Sequence, residues 1–568
     1  MPDPTDLTVD PHRVLTGIGV CAGTASAPIV LVSPAPGVDE DEPPCTDPAA
    51  DGQRVRDAMK AVADDLTARA EATDGTTRQI LETTAQLATD RAIAKAVDKQ
   101  LKKGSGITRA VHDATATYAE MLVQLGGYMA ERVTDLMDIR DRVICELRGV
   151  PAPGVPRLEQ PTIVVARDLA PAETATLDPE LVAGIVTEQG GPTSHTAILA
   201  AQLGIPAVVR VNGALELTAD DRLAIDGGAG RVIVSPTDDE VAELAERARR
   251  REAALADSHG SGRTADGHAV PLLANIGTAD DARRAATQDV EGSGLFRTEF
   301  LFLDRDQAPT LEEQTETYTT VLEAFGGRKV VVRTLDAGAD KPLVFADQGE
   351  EENPALGVRG LRLSRAREDL LDTQLEALAA AHRATGGDLH VMAPMVATVE
   401  EARWFAEKVR ATGLPHVGVM IEVPAAAINA RHLLAEVDFA SIGTNDLSQY
   451  TYAADRMQGE LADLLSPWQP ALLAMVQAAC IGGAETDSPI GVCGEAGGDP
   501  LVALVLVGLG VSTLSMAPGK VTAVRAALAR HDLATCQEMA RRAVAAPTAE
   551  AARQAVIDLA HPEVLDLL

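Results

Sequence analysis

The feature that most constrains the fold is a series of eight strand-like runs in the C-terminal half of the chain. Each run is short and mostly apolar, and segments with helical periodicity separate the runs. This alternation is typical of a closed (β/α)8 barrel, and an open doubly wound sheet is the alternative. The number and length of the runs and the positions of their polar residues favour the barrel. The predicted strands are Ala269–Gly277, Gly292–Glu299, Lys329–Gly338, Gly357–Leu361, Leu389–Val396, Val417–Pro424, Phe439–Asp446 and Ile490–Glu495.

Several of these runs end in polar or charged residues. A charge removed from water without a partner costs several kcal/mol, so isolated charges are rare in buried strands. In a barrel the carboxyl ends of all strands surround one mouth, and these residues are therefore predicted to lie close together there. They are Arg297, Arg333, Arg359, Glu422, Asn445, Asp446, Cys493 and Glu495.

The residue types at this predicted mouth allow two interpretations. Arg297 and Arg333 suit a phosphate or carboxylate, because a guanidinium binds such groups through paired hydrogen bonds. Glu422 and Asp446 offer oxygens for a hard divalent cation such as Mg²⁺. The alternative is a structural ion-pair network in which the arginines face Glu299, Asp336 and Glu422.

Composition excludes several classes of function. The formal net charge of −34 repels nucleic acid and anionic membranes. No apolar run approaches the roughly 20 residues of a membrane-spanning helix, so no membrane insertion is predicted. The six cysteines include no CxxC pair and favour a reducing, cytoplasmic location. Cys493 fits an ordinary buried thiol, but its neighbouring glycines and strand-end position favour the mouth.

The N-terminal half divides into different patterns. Short strand-like segments over residues 1–35 precede a helical region from Gln53 to Leu147, which we interpret as a bundle. Pro151–Pro156 is a connector to a segment with mixed strands and helices that reaches about Ser235. A charged helix, Asp238–Asp257, and the Gly/Ser-containing stretch Ser258–Gly267 then lead to the predicted barrel.

The most informative N-terminal segment is Gly190-Gly-Pro-Thr-Ser-His195-Thr. A strand, Gly184–Thr187, leads to a Gly-Gly turn, and a helix capped by Thr193 or Ser194 follows and ends near Gly204. His195 would lie in the first turn, where the helix dipole favours neutral imidazole and free backbone N–H groups can hold a phosphate. A histidine at a surface helix start is the alternative.

Together these segments resemble the enzyme I family, the phosphoenolpyruvate (PEP)-protein phosphotransferases. The motifs occur in the family's order over almost the whole chain, whereas the helical region matches mainly in position and in Asp138-Ile-Arg-Asp141. Pro192 replaces an arginine that is often present in the family. The matching motifs are Gly-Gly-Pro-Thr-Ser-His195-Thr, Leu-Phe-Arg297-Thr-Glu-Phe-Leu-Phe, Arg333-Thr-Leu-Asp, Glu-Glu-Asn-Pro-Ala-Leu-Gly-Val-Arg359, Met-Ile-Glu422-Val-Pro-Ala-Ala, Ser-Ile-Gly-Thr-Asn445-Asp446-Leu-Ser-Gln-Tyr-Thr and Val-Cys493-Gly-Glu.

The resemblance implies a multidomain α/β fold with a C-terminal TIM barrel. Residues 1–35 and 151–236 would form a mobile phosphohistidine domain, with an HPr-binding helical domain, 36–150, inserted. Residues 237–267 would form a linker helix, and 268–568 a PEP-binding barrel that forms a homodimer.

The resemblance also implies a role for each site residue. His195 resembles the histidine that is phosphorylated at Nε2, and Cys493 the acid that protonates the enolate carbon to give pyruvate. Glu422 and Asp446 resemble the Mg²⁺ ligands. The residues that resemble substrate contacts are Arg297, Arg333, Asn445, Asp446, Arg456 and Arg359.

The expected activity is phosphorylation of His195 by PEP, followed by transfer to a histidine of the carrier protein HPr. This is the first step of the sugar phosphotransferase system. A pyruvate phosphate dikinase or PEP synthase is less well supported, because no large ATP-binding module or Gly-rich nucleotide loop precedes the histidine. A regulatory, non-catalytic relative would be expected to lack the site histidine, an arginine or the cysteine. All of them are present, as His195, Arg297, Arg333 and Cys493.

Overall fold

The computed structural model forms two compact units, residues 1–248 and 249–568. Helix Asp238–Ala256 includes the boundary between them. The structure describes residues 12–32, 37–38, 42–71, 75–125, 127–150, 154–156, 158–169, 177–178, 180–191, 195–303, 305–338, 343–346, 349, 351–456 and 458–567.

The first unit contains an eight-stranded mixed sheet in the order β1-β8-β7-β3-β4-β5-β6-β2. Neighbouring strands from β3 to β6 pair in parallel, and the other neighbours pair antiparallel. The strands come from both sides of the helical region. They are β1 Arg13–Thr16, β2 Ile18–Cys21, β3 Thr24–Leu31, β4 Thr162–Ala166, β5 Val182–Thr187, β6 Ala207–Val209, β7 Arg222–Asp226 and β8 Arg231–Val234.

In the described part of the chain between β3 and β4, five helices form their own apolar core. Val55, Met59, Val62 and Leu66, which share one face of the first helix, are all buried. This burial is what their spacing predicts for an amphipathic helix that packs against others. The helices are Pro48–Glu71, Gly75–Ala88, Arg91–Leu101, Ile107–Leu125 and Gly127–Arg148.

The second unit contains a closed barrel of eight parallel strands, as predicted. Alternate residues of a strand point to opposite faces, so Val330 and Val332 pack outwards in the layer beneath the helices while Val331 packs in the barrel interior. The strands are β9 Leu272–Ile276, β10 Gly292–Arg297, β11 Lys329–Arg333, β12 Leu389–Ala393, β13 His416–Ile421, β14 Phe439–Ile442, β15 Ile490–Val492 and β16 Thr513–Met516.

One predicted strand was wrong. Gly357–Leu361 is not a strand, because Gly360 takes a left-handed φ of 59° and Leu361 begins a helix. The eighth strand is instead β16, which the sequence pattern did not reveal because its polar residues alternate with Leu514 and Met516. Ser515 of β16 is nevertheless buried. Its hydroxyl donates a hydrogen bond of 2.6 Å to Asn275 Oδ1, which offsets the cost of burying a polar group.

Helices cover the outside of the barrel. Three of them begin with a capping box in which a threonine and an acidic residue satisfy each other's backbone N–H groups. The helices are Ala279–Ala286, Leu311–Phe325, Leu361–Ala366, Glu368–Thr385, Val399–Ala411, Pro424–Ile428, Ala430–Leu434, Thr444–Tyr452, Pro470–Thr486, Pro500–Gly508, Val521–Leu528, Leu533–Ala545, Ala549–Ile557 and Pro562–Leu565.

One segment of the second unit, Leu461–Thr486, is long and apolar enough to cross a membrane by length and composition. The sequence prediction of no such run was therefore too strict. The segment is weak evidence for a membrane span, because core helices pass the same test. Its continuous α-helix, Pro470–Thr486, buries Leu472, Leu473 and Val476 in the protein core.

Candidate active site

Arg297 and Arg333 end the adjacent strands β10 and β11, where they are direct Cα partners. Arg333 is buried; its Nη2 donates to Glu299 Oε1 at 2.8 Å, and its Nη1 lies 3.1 Å from Asp336 Oδ2. Arg297 is only half-buried, and among the described residues no hydrogen bond or ion pair is recorded for its side chain. Arg333 is therefore held in place by acids, whereas the guanidinium of Arg297 is available for a ligand.

Asp336 connects two of the predicted arginines. It is fully buried and contacts Arg333 on one side. On the other side Arg359 donates from Nε and Nη2 to its two carboxylate oxygens, both at 3.2 Å. Arg359 Nη1 also donates to Asp446 Oδ1 at 3.0 Å. The ion-pair network and the predicted site therefore share the same residues, so the two interpretations of the sequence do not exclude each other.

Glu422 follows β13 and is completely buried. Its Oε1 accepts a hydrogen bond of 2.6 Å from the backbone N–H of Met395, whereas its Oε2 has no recorded partner in the described part of the chain. Burial and the negative charges of Asp446 and Asp336 raise the pKa of Glu422 to about 8, against the opposing effect of Arg333. A cation bound beside Glu422 would therefore favour its ionised form.

Asp446 and Asn445 lie in the first turn of helix Thr444–Tyr452, directly after β14. Asp446 Oδ2 accepts from Arg456 Nη1 at 3.4 Å, and the backbone N–H of Arg456 donates to Gln449 Oε1 at 3.1 Å. Asn445 is half-buried. Because the helix Thr444–Tyr452 begins directly after β14, the Asp446 carboxylate lies at the mouth. Arg456 lies there too, since it donates to Asp446.

Cys493 follows β15 and is 2% exposed. Burial raises the pKa of its thiol to about 11; a hydrogen bond to Ser441 lowers it, the charge of Glu422 raises it, and the arginines 333 and 297 lower it. Electrostatic interaction with all three charged residues means that Cys493 lies among them. At neutral pH the thiol is protonated and can act as an acid.

Asn275 and Ser515 support Cys493 and were not predicted from the sequence. Asn275 Nδ2 donates to the backbone carbonyl of Cys493 at 3.0 Å, and Asn275 Oδ1 accepts from the Ser515 hydroxyl. A polar residue within the apolar run Ala269–Gly277 was the available signal for Asn275. Met395 was also missed by the sequence analysis. Its backbone takes a left-handed φ of 57°, and in this conformation its N–H donates to Glu422 Oε1.

His195 is the first residue of helix His195–Leu203 in the first unit. The helix follows β5 and ends just before Gly204, which has a φ of 69°. The next residue, Thr196, is buried and donates from Oγ1 to Asp168 Oδ1 at 3.0 Å, which holds the first turn of the helix. The side chain of His195 and residues 192–194, including Pro192, lie outside the described residues.

Three family profiles match the chain. They are the PEP-binding domain of PEP-utilising enzymes over residues 251–533, the mobile domain over 158–230 and the N-terminal domain over 16–132. The PEP-binding match covers the strands that carry Arg297, Arg333, Glu422 and Cys493.

The chain is also similar to individual proteins. The phosphoenolpyruvate-protein phosphotransferase of Streptomyces coelicolor is 49% identical over 96% of this chain and 98% of its own. The protein of the same name from Haloferax volcanii is 39% identical over 96% of this chain and 100% of its own. The NMR structure of the Enzyme I (nEIt) protein aligns at 30% identity over 42% of this chain and 99% of its own, with a TM-score of 0.38. The chain therefore belongs to the PEP-utilising enzyme family and, within it, to the phosphoenolpyruvate-protein phosphotransferases that its motifs indicated.

Proposed function

We propose that this chain transfers the phosphoryl group of PEP to His195, releases pyruvate, and passes the phosphoryl group to a histidine of HPr. The observation that carries the proposal is the barrel mouth, where two carboxylates, a protonated thiol and two arginines converge; of the arginines, Arg297 has no ion pair among the described residues and Arg333 is held by acids. Membership of the phosphoenolpyruvate-protein phosphotransferases supports the same reaction.

Arg297 and Arg333 bind the anionic groups of PEP in this proposal. The transition state of phosphoryl transfer carries its charge on the phosphoryl oxygens, so catalysis depends on positioning and charge neutralisation. Glu299 and Asp336 hold the Arg333 guanidinium in place before the substrate binds, whereas Arg297 can reorient towards the substrate. Asn445, Arg456 and Arg359 complete the substrate-binding side of the mouth; Arg359 acts mainly by holding Asp446.

Glu422 and Asp446 are the proposed Mg²⁺ ligands. The buried Oε2 of Glu422, without a recorded partner in the described residues, fits this role. A Cβ on Gly443 would lie 2.6 Å from that oxygen, so glycine keeps the space beside it open. The negative charge of Asp446 raises the pKa of the buried Glu422 carboxyl, and a dication held by both carboxylates would offset this repulsion. When bound, Mg²⁺ would neutralise charge on the phosphoryl group.

Cys493 is the proposed proton donor. The P–O bond of PEP breaks as the phosphoryl group moves to the imidazole of His195, and the electron pair stays on the departing oxygen as the enolate of pyruvate. The thiol proton of Cys493 then goes to the enolate carbon, and solvent returns a proton to the thiolate. A pKa of about 11 keeps this proton available throughout the physiological range.

Transfer to HPr requires that His195 reach two sites in turn. We therefore propose that the domain formed by residues 1–35 and 151–236 swivels, with Pro151–Pro156 and residues 237–267 as hinges. The inserted helical domain, residues 36–150, is the proposed docking site of HPr. A homodimer through the barrel and a cytoplasmic location are further inferences from the family.

Labelled PEP tests this function. The full chain is incubated with ³²P-PEP and Mg²⁺, then chased with HPr or with AMP plus pyrophosphate. We expect acid-labile label that is absent in His195→Ala and is discharged by HPr alone. Discharge by AMP plus pyrophosphate would indicate a dikinase, and no label at all would indicate a non-catalytic relative.

A further inference from the structure

The amino-terminal end of the barrel carries a second cluster of polar side chains, at the opposite end from the proposed active site. Asp388, His390 and His416 each offer a metal-ligand atom within 4.8 Å of those of the other two. His390 of β12 and His416 of β13 are direct Cα partners. The pairing of two rigid strands therefore fixes the position of both histidines.

Both imidazoles belong to the inner face of the barrel. Along β12, Met392 lies two residues after His390, and along β13, Met420 lies four residues after His416; both methionines pack in the barrel interior. The imidazole rings stack with centroids 4.2 Å apart and planes 13° from parallel. Phe439 packs edge-on against His390 at 5.3 Å, which limits the ring's movement.

The donor atoms suit a divalent transition-metal ion. His390 Nε2 and Asp388 Oδ1 are 3.0 Å apart, close to the roughly 3.3 Å between neighbouring ligand atoms of a tetrahedral zinc ion. Because the two rings stack, His416 must rotate slightly about Cβ–Cγ before one of its nitrogens can reach the same ion as His390. This torsion is soft. Two imidazoles and one carboxylate, with water as a fourth ligand, are typical of zinc, whereas Mg²⁺ prefers oxygens alone.

A further observation supports a bound ligand. His390 Nδ1 is buried and has no recorded partner in the described part of the chain. The contact between His390 Nε2 and the exposed Asp388 does nothing for Nδ1. A buried nitrogen without a hydrogen-bond partner costs free energy. Rotation of the ring about Cβ–Cγ can turn Nδ1 towards Asp388 and His416, where a bound ion would satisfy this nitrogen.

We propose that Asp388, His390 and His416 bind a divalent transition-metal ion of the zinc class at the amino-terminal end of the barrel. This site is separate from the proposed Mg²⁺ site and does not depend on phosphoryl transfer.

Lys329 supplies an internal test of the electrostatics. It begins β11, and its ammonium lies 5.4 Å from the centroid of Phe439, the ring that packs against His390. Its positive charge opposes a bound dication, whereas Asp388 favours one. Lys329→Met should therefore bind Zn²⁺ roughly tenfold more tightly, and Asp388→Asn roughly tenfold more weakly.

Calorimetric titration with Zn²⁺ tests the site in the full chain, with saturating Mg²⁺ to occupy the oxygen ligands Glu422 and Asp446. The wild type is expected to bind one equivalent that His416→Gln binds at least about a hundredfold more weakly. His432→Gln is the matched control, because His432 is an exposed histidine on the neighbouring helix Ala430–Leu434. Equal Zn²⁺ binding by the wild type and His416→Gln would overturn the proposal.

A spectroscopic measurement on the wild type removes any dependence on the folding of the variants. One equivalent of Cu²⁺, added in the presence of Mg²⁺, should give an electron paramagnetic resonance spectrum with hyperfine coupling to two imidazole nitrogens. A spectrum without nitrogen coupling, or one dominated by thiolate sulfur, would place the ion elsewhere and refute the site.

Discussion

Arg297 and Arg333 are direct Cα partners at the ends of β10 and β11, yet among the residues that the structure describes only Arg333 is held by ion pairs. Two identical side chains on neighbouring strands therefore have different physical roles. The Arg333 guanidinium is part of the folded core, since its loss would leave the buried carboxylate of Glu299 without an ion-pair partner among the described residues and Asp336 paired with Arg359 but no longer with Arg333. The Arg297 guanidinium has no such role in the described structure and is available to PEP.

The first prediction separates binding from stability at these two positions. Arg297→Ala should lower kcat/KM for PEP by roughly 10²–10⁴, because each charge-assisted hydrogen bond contributes about 1.5–3 kcal/mol. Its free energy of unfolding should change by less than about 0.5 kcal/mol. Arg333→Ala should instead destabilise the barrel by about 3–5 kcal/mol, as well as impair turnover.

Urea unfolding monitored by tryptophan fluorescence provides the stability measurement. Both tryptophans, Trp404 and Trp468, lie in the barrel unit, so the signal reports on that unit and not on the first one. Coupled assay of pyruvate release provides the kinetics. A destabilisation of Arg297→Ala as large as that of Arg333→Ala would show that Arg297 also has a structural partner.

The second prediction concerns the proton donor. Cys493→Ala should slow pyruvate formation by roughly 10²–10⁴, the usual contribution of a positioned general acid, without loss of folding. Cys480→Ala is the matched control: Cys480 is also buried, but it lies in helix Pro470–Thr486 within the outer apolar layer. Pyruvate release, followed with lactate dehydrogenase, should be near normal in Cys480→Ala. Wild-type turnover of Cys493→Ala would remove its proposed role.

The sequence predicted the barrel and the convergence of polar residues because both follow from local patterns. A charged residue at the end of an apolar run indicates the carboxyl end of a parallel strand. Closure of the barrel brings these strand ends together at one mouth. This reasoning identified Arg297, Arg333, Glu422 and Cys493 as neighbours. Their catalytic roles, like that of His195, came from the family resemblance and remain predictions.

The residues that were missed have partners distant in sequence. Asn275 acts on a carbonyl 218 residues later in the chain, and no local pattern encodes that contact. Strand β16 was missed because alternating polar residues indicate a half-exposed strand, whereas both of its faces are covered here. Gly357–Leu361 was mistaken for a strand because Arg359 appeared as a strand-end charge; the ion pairs with Asp336 and Asp446 hold it in a loop instead.

The third prediction is a pH dependence of barrel stability. His531 is buried; Nδ1 lies 2.9 Å from the carbonyl of Ala527, and Nε2 accepts from the backbone N–H of His561 at 2.9 Å. Burial lowers the pKa of His531; the hydrogen bond to Ala527 and Asp532 oppose this shift, whereas His561 and Arg530 add to it. The folded state therefore favours the neutral ring more than the unfolded state does.

The sign follows from proton linkage. As the pH falls through the unfolded-state pKa of about 6.5, the unfolded chain takes up more proton at His531 than the folded chain, whose pKa is lower, so stability is lost as the pH falls. The contribution is at most about 1.4 kcal/mol per pH unit. Between pH 7 and pH 5, the unfolding free energy of His531→Gln should fall less steeply than that of the wild type. The exposed His432→Gln should follow the wild-type slope, and identical slopes in all three proteins would exclude His531 as the source.

The final prediction is that Asn275 is a positioning residue for Cys493. Its Nδ2 donates to the Cys493 carbonyl, and its Oδ1 accepts from the Ser515 hydroxyl, so Ser515 orients Asn275 and Asn275 orients Cys493. Asn275→Ala should lower kcat for pyruvate formation about tenfold, since one hydrogen bond contributes about 0.5–1.5 kcal/mol. KM for PEP should stay near the wild-type value. Ser515→Ala should have a smaller effect in the same direction, and the double variant should be no slower than Asn275→Ala alone, because Ser515 acts through Asn275. Additive losses in this double-mutant cycle would mean that the two side chains affect turnover independently.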